Sequence, residues 1–169
     1  MFVDSSALIP LSRVGRLDLL RTLYGRLRTT RDVYRECVEA GGARLGLDAL
    51  KAAFRAWIEV VDSPRNARQL AAAEGIEVAD ASLVLLCERE GEELLASDEH
   101  LLKVARARGV RGRWLTGALL IAVRRRVLET EEAKGLLTDL VRTGLHVSPE
   151  VFAEIYSALD GLESSESRR

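Results

Sequence analysis

Apolar positions in this chain follow two periods, and the switches between them outline its elements. "FVD" at residues 2–4 is a short apolar run closed by a carboxylate and reads as a strand. "SSALIPLSRV" and "RLDLLRTLYG" carry apolar residues at helical spacing, the second closed by Gly25. "RLRT" reads as a second strand. In "TRDVYRECVEAG", Val33, Cys37 and Ala40 follow steps of four and three, which predicts a helix capped by Thr29 or Thr30 and ended by Gly41. "LDALKAAFRAW" is helical, and "IEVVD" has the β-branched content of a strand. "SPRNARQLAAAEG" places Ser63 as a cap and Pro64 in the first turn. "ADASLVLLCEREG" is an apolar-rich helix and "ELLASD" a strand ending in a carboxylate. "EHLLKVARARG" is a helix closed by Gly109, and "VRGRWL" is a weaker strand.

After Thr116 the pattern turns all-helical, with "GALLIAVRRRVL", "EEAKGLLTDLVRTG" and "SPEVFAEIYSALDG". Thr130 is expected to cap the second of these, with Glu131 and Glu132 favourable in its first turn. Ser148 and Pro149 open the third. Strands separated by helices predict an α/β fold: an α/β/α sandwich around a central, mostly parallel sheet. The expected organisation is an α/β core over residues 1–115, a helical C-terminal extension of the same domain over 116–160, and a disordered tail, "GLESSESRR", over 161–169.

Composition narrows the function classes. The chain has 169 residues, 47% hydrophobic and 30% charged, the balance of one soluble globular domain. No apolar stretch approaches the roughly 20 residues of a membrane span. "MFVDSS" has no basic leader, so a cytoplasmic protein is expected. The net charge of -1 gives no general support to nucleic-acid binding. Lysine occurs only at Lys51, Lys103 and Lys134, so the remaining bases are arginines. Their planar forks suit phosphate, although arginine is also favoured by high-GC genomes and heat adaptation. Cys37 and Cys87 sit among apolar residues and read as buried thiols.

Four acids stand out against this background. Asp4 ends the first strand, Glu36 lies in the third helix, Asp80 opens "ADASLVLLCERE" and Asp98 closes "ELLASD". Asp80 and Asp98 are separated by one helix and one returning strand. In sheets of this class functional groups gather at the carboxyl ends of strands. Carboxylates meeting in one cleft repel unless a cation sits between them, and oxygen donors select hard ions such as Mg²⁺ or Mn²⁺. Phosphodiester hydrolysis is a reaction such a site performs. Taken singly, each acid has another role: Asp4 and Asp98 as helix N-caps, Glu36 as partner of Arg35 or Arg31, and Asp80 as a first-turn acid.

Their order resembles the PIN-domain family of metal-dependent ribonucleases. "FVDSSALI" looks like the family's opening strand, "VYRECV" its helix with a central Glu, "VADASLVLLCERE" its Asp-Ala helix, and "LLASDEHLLKVARARGV" its strand–Asp–helix segment. The resemblance covers about residues 1–115, and the helical C-terminus looks like the extension of one prokaryotic subgroup. It implies that Asp4, Glu36, Asp80 and Asp98 bind Mg²⁺ or Mn²⁺ and serve as the catalytic quartet. It implies that Ser6 supports the first aspartate. The expected activity is endoribonucleolytic hydrolysis of RNA by a metal-activated water. Expected partners are RNA, a second copy in a homodimer and, where the chain is a toxin, a cognate antitoxin protein. The alternative is a PIN-like module that binds RNA or protein without cutting. Where the family often has Thr two positions before the last Asp, this chain has Ala96.

Remaining candidates change the picture less. Arg106, Arg108, Arg111 and Arg113 follow the Asp98 segment and are the arginine cluster expected to track RNA phosphate, against the alternative of ion pairs. His100 and His146 are too isolated to suggest zinc. Trp57, Trp114 and Tyr156 read as core residues rather than stacking platforms. Nucleotide-binding glycine motifs and a serine-nucleophile elbow are absent. A receiver-type phosphorelay domain would need an early acidic pair and a late strand-end lysine, which "FVDSS" and the later strands do not supply.

Overall fold

The structure, a computed structural model, describes residues 1–40 and 45–166. Five strands form one sheet: β1 (Phe2–Val3), β2 (Leu27–Thr30), β3 (Ile58–Val61), β4 (Leu94–Ala96) and β5 (Gly112–Trp114). Their order is β3-β2-β1-β4-β5, and every pairing is parallel. Helices cover both faces, so the central strands are apolar throughout: Phe2, Val3, Leu94, Leu95 and Ala96 are all fully buried. The edge strand β5 is exposed along its length.

From β1 the chain moves outward to β2 and β3, then crosses back over β1 to β4 and on to β5. Crossovers in opposite directions put their helices on opposite faces. α1 (Ser5–Arg13), α2 (Asp18–Tyr24), α3 (Arg31–Tyr34) and α4 (Leu47–Ala56) belong to the outward path. α5 (Ala67–Glu74), α6 (Val78–Glu90) and α7 (Glu99–Ala107) belong to the return. β1 and β4 therefore flank the point where strand order reverses. A crevice opens at such points, beyond the carboxyl ends of the strands.

The C-terminal helices α8 (Leu115–Arg124), α9 (Thr130–Arg142) and α10 (Pro149–Glu166) are part of the same body. Leu119, Leu137, Leu140 and Leu159 join the single hydrophobic core. Buried Lys134 of α9 forms ion pairs with Glu131 and with Asp160 of α10. Its ammonium also lies 5.1 Å from the Tyr156 ring. Among the described residues, no helix is long and apolar enough to cross a membrane.

Several boundaries differ from the sequence reading. α5 starts at Ala67 after an Asn66 cap, not at Ser63 and Pro64, because Ala67 N donates to Pro64 O in a preceding turn. Thr130 is the first helical residue of α9 and Glu129 occupies the cap position. Ser148 caps α10 as read, its hydroxyl accepting from Val151 N at 3.3 Å. α10 continues to Glu166, past residue 161, where the sequence reading begins a disordered tail. Residues 167–169 of that tail, and the Gly41 helix stop, lie outside the described residues. Cys37 and Cys87 are buried thiols, as read.

Candidate active site

Asp4 and Asp98 come together through sheet register. Val3 pairs with Leu95, and Asp4 N donates to Leu95 O at 2.9 Å, so Asp4 leaves β1 where Ala96 ends β4. Both aspartates cap the helices they precede. Asp4 Oδ2 accepts from Ser6 N at 2.9 Å, and Asp98 Oδ1 accepts from Leu101 N at 2.7 Å. The capping reading of both aspartates holds, and the cap fixes each carboxylate at the mouth of the sheet. Ser6 Oγ accepts from Ser97 N at 2.8 Å and ties the ends of β1 and β4 together. The sequence reading expects Ser6 to support the first aspartate; its backbone N–H donates to the Asp4 carboxylate, while its hydroxyl reaches the segment that carries Asp98.

Glu36 and Asp80 arrive from opposite layers and are linked by a buried pair of hydroxyls. Thr30, at the end of β2, caps α3 through its side chain, which accepts from Val33 N. Ser82 Oγ lies 2.8 Å from Thr30 Oγ1, and both residues are fully buried. α3 runs on into a π-helical stretch, Arg35–Glu39, that carries Glu36. The sequence reading places Glu36 in a regular helix. Extra-wide turns of this kind recur at functional sites because they shift one side chain relative to the α-helical ladder. Asp80 sits in the first turn of α6.

All four acids line one cleft of about 490 Å³, together with Ser5, Ser6, Glu77 and His100. Asp4 is only 3% exposed. Burial raises its pKa, hydrogen bonds from Ser6 and Ser5 lower it, and the Asp98 charge raises it again. Burial also drives Glu36 to about 7; the Ser5 hydroxyl opposes this, while Asp4, Glu77 and Asp32 add to it. Asp80 is likewise raised to about 7, by burial first and then by Asp4, Asp98 and Glu36. Mutual repulsion among carboxylates from four separate segments is the physical signature of a site built around a cation.

Oxygen donors from carboxylates alone fit a hard divalent ion rather than zinc or copper. The donor set therefore fits Mg²⁺ or Mn²⁺. Among the described residues, no three of His, Cys, Asp and Glu already stand at metal-holding geometry. The acids gather at the scale of a cleft, not of a closed coordination shell.

The arginines expected beside this site stand elsewhere. Arg106 is in the last turn of α7, eight residues and about 12 Å of helix from Asp98. Arg108 Nη2 pairs with Glu88 at 2.7 Å. Arg111 and Arg113 share Glu93, at 3.5 and 2.5 Å. None of the four lines the cleft. Glu77, Ser5 and His100 do; sequence reasoning passed over the first two and set His100 aside as too isolated for zinc. For Glu77 a signal existed, since it precedes Asp80 by three residues and so shares its face at the helix start.

Comparison with known proteins agrees with this architecture. The family model DUF3368, a PIN domain, matches residues 1–160 and so includes the C-terminal helices as well as the α/β core. No curated protein matches the chain. The crystal structure of PAE2754 from Pyrobaculum aerophilum shares the fold, with a TM-score of 0.53 and 22% identity over 75% of this chain and 96% of that one.

Proposed function

The chain belongs to the PIN-domain family, whose members are generally nucleases, and from that premise we propose that it is a Mg²⁺- or Mn²⁺-dependent endoribonuclease. The observation that carries the proposal is the convergence of Asp4, Glu36, Asp80 and Asp98 on one cleft with raised pKa values at Asp4, Glu36 and Asp80. These four would hold the ion. A bound divalent cation supplies Lewis acidity toward phosphate oxygens and lowers the pKa of water.

The chain's own residues prepare this chemistry. The caps hold Asp4 and Asp98 in place, and Ser6 locks the two strand ends to each other. Glu36 and Asp80 stand at about 7, so near neutrality both would give up bound protons on taking up a cation. The expected products are 5′-phosphate and 3′-hydroxyl ends. The finer proposal, a homodimeric toxin held by an antitoxin, rests on the family resemblance alone. A non-cutting binding module is the second reading, favoured by the lack of a ready-made ion shell among the described residues.

Incubation of a mixed RNA pool with Mn²⁺, with Mg²⁺ and with EDTA separates the two readings. Cleavage in either metal that stops in EDTA and in Asp80→Asn supports the nuclease. RNA binding without cleavage under any metal condition overturns it in favour of the module.

A further inference from the structure

Trp114 is read from sequence as a core residue, yet it is 41% exposed. It ends β5 in register with Ala96, the last residue of β4, two residues before Asp98. Adjacent strands lie about 5 Å apart, so the Trp114 backbone stands beside the strand end that delivers Asp98 to the cleft.

Strand alternation fixes its side. A Cβ at Gly112 would meet Leu102 Cδ2 of α7 at 2.7 Å, so position 112 faces α7. Side chains two residues apart share a face, which turns Trp114 toward the α7 side as well. The step from 112 to 114 also moves about 7 Å toward the carboxyl edge. α7 runs back from that edge, and its first turn begins with Glu99 and His100. His100 lines the acidic cleft. An indole is thus presented on the rim nearest the α7 side of the cleft. Among the described residues no other ring packs against it.

A large exposed aromatic on a rigid strand end, next to a phosphodiester site, suits an unpaired base. Every base has a π face, so stacking needs no sequence and no base-edge hydrogen bonds. Arg108, Arg111 and Arg113 are engaged by Glu88 and Glu93, so stacking on the indole would add to what charge alone offers a passing strand. We propose that Trp114 is a stacking platform for an unpaired RNA base flanking the scissile phosphate. This rests on the nuclease reading of the neighbouring cleft and adds to it a residue that positions the substrate.

The test uses the full chain with a labelled 12-nucleotide single-stranded RNA, and the same strand annealed to its complement, both in EDTA. Fluorescence anisotropy reads affinity and tryptophan emission reads contact. Wild type should bind the single strand more tightly than the duplex and show quenched emission. Trp114→Ala should bind the single strand about tenfold or more weakly. It should lose the preference over duplex and keep the wild-type melting temperature, while Trp114→Phe retains most of the affinity. In Mn²⁺, Trp114→Ala should raise KM more than it lowers kcat. Equal affinity and equal strand preference in wild type and Trp114→Ala, with cleavage intact, would overturn the platform and leave the nuclease standing. A wild type that neither binds nor cuts RNA overturns both.

Discussion

Replacing Asp80 by Asn should stabilise the metal-free protein at alkaline pH. A carboxyl whose pKa stands at about 7 instead of its ordinary 3.8 resists ionisation by about 4 kcal/mol at full value. Part of Asp80 faces solvent, and screening there reduces the figure to about 1–2 kcal/mol. A competing effect exists, because Asp80 lies in the first turn of α6 and its charge favours the helix by about 0.3–1 kcal/mol. Burial of the charge, with repulsion from Asp4, Asp98 and Glu36 added to it, is the larger effect, so the net gain should be positive, about 1 kcal/mol. Between pH 3.8 and about 7 the folded state binds more protons at this carboxyl than the unfolded state does. Wild-type stability therefore falls as pH rises through that window. Thermal unfolding by circular dichroism in EDTA should show Asp80→Asn melting about 2–4 °C above wild type at pH 8. That advantage should shrink severalfold at pH 4, where the native carboxyl is neutral. Excess Mn²⁺ should reverse the ranking, since only the wild type retains the full donor set. A variant that is no more stable than wild type at pH 8, or whose advantage does not depend on pH, refutes the reasoning that a buried, crowded carboxylate strains the metal-free fold.

Other substitutions separate structural from chemical roles. Asp4→Ala should cost about 0.5–2 kcal/mol through loss of the α1 cap, whereas Asp4→Asn keeps the cap; urea unfolding should distinguish them, and both should abolish cleavage. Ser6→Ala should cost about 1–3 kcal/mol by leaving the Ser97 N–H without its acceptor, and cleavage should fall as the strand ends loosen. Thr30→Val removes both the α3 cap and the hydroxyl contact to Ser82. It should destabilise the fold by about 1–3 kcal/mol in denaturant titration, with a further loss of Mn²⁺ affinity as Glu36 and Asp80 shift.

What could be read from the chain depended on whether the signal was local. Element types were legible because apolar period separates buried strands from helices. Asp4, Asp80 and Asp98 were legible because strand ends and a helix start mark them, whereas Glu36, inside a helix, stood out only through the resemblance to PIN domains. Asp4 and Asp98 looked like caps and are caps; the further fact that register sets them side by side is a sheet property, invisible in either segment alone. Glu36 was assigned to a plain helix because a π-helical stretch preserves the apolar spacing of Val33 and Cys37. Trp114 was misassigned because "VRGRWL" gives no sign that its strand forms the sheet edge. The arginines near residue 108 looked like a phosphate track because sequence proximity to Asp98 hides the length of α7, which carries Arg106 and Arg108 away from the cleft. Their partners Glu88 and Glu93 are about 20 residues away along the chain, beyond the reach of a local pattern.

The most direct measurement is Mn²⁺ titration calorimetry on wild type and Asp98→Asn, run near pH 6.5 in buffers of different ionisation enthalpy. Wild type should bind Mn²⁺ and release protons from Glu36 and Asp80, both of which stand at about 7 before the ion enters. That release should diminish toward pH 8.5, and Asp98→Asn should lose most of the affinity. Absent Mn²⁺ binding, or binding with no proton release and no dependence on Asp98, would contradict the assignment of these four carboxylates as a cation site.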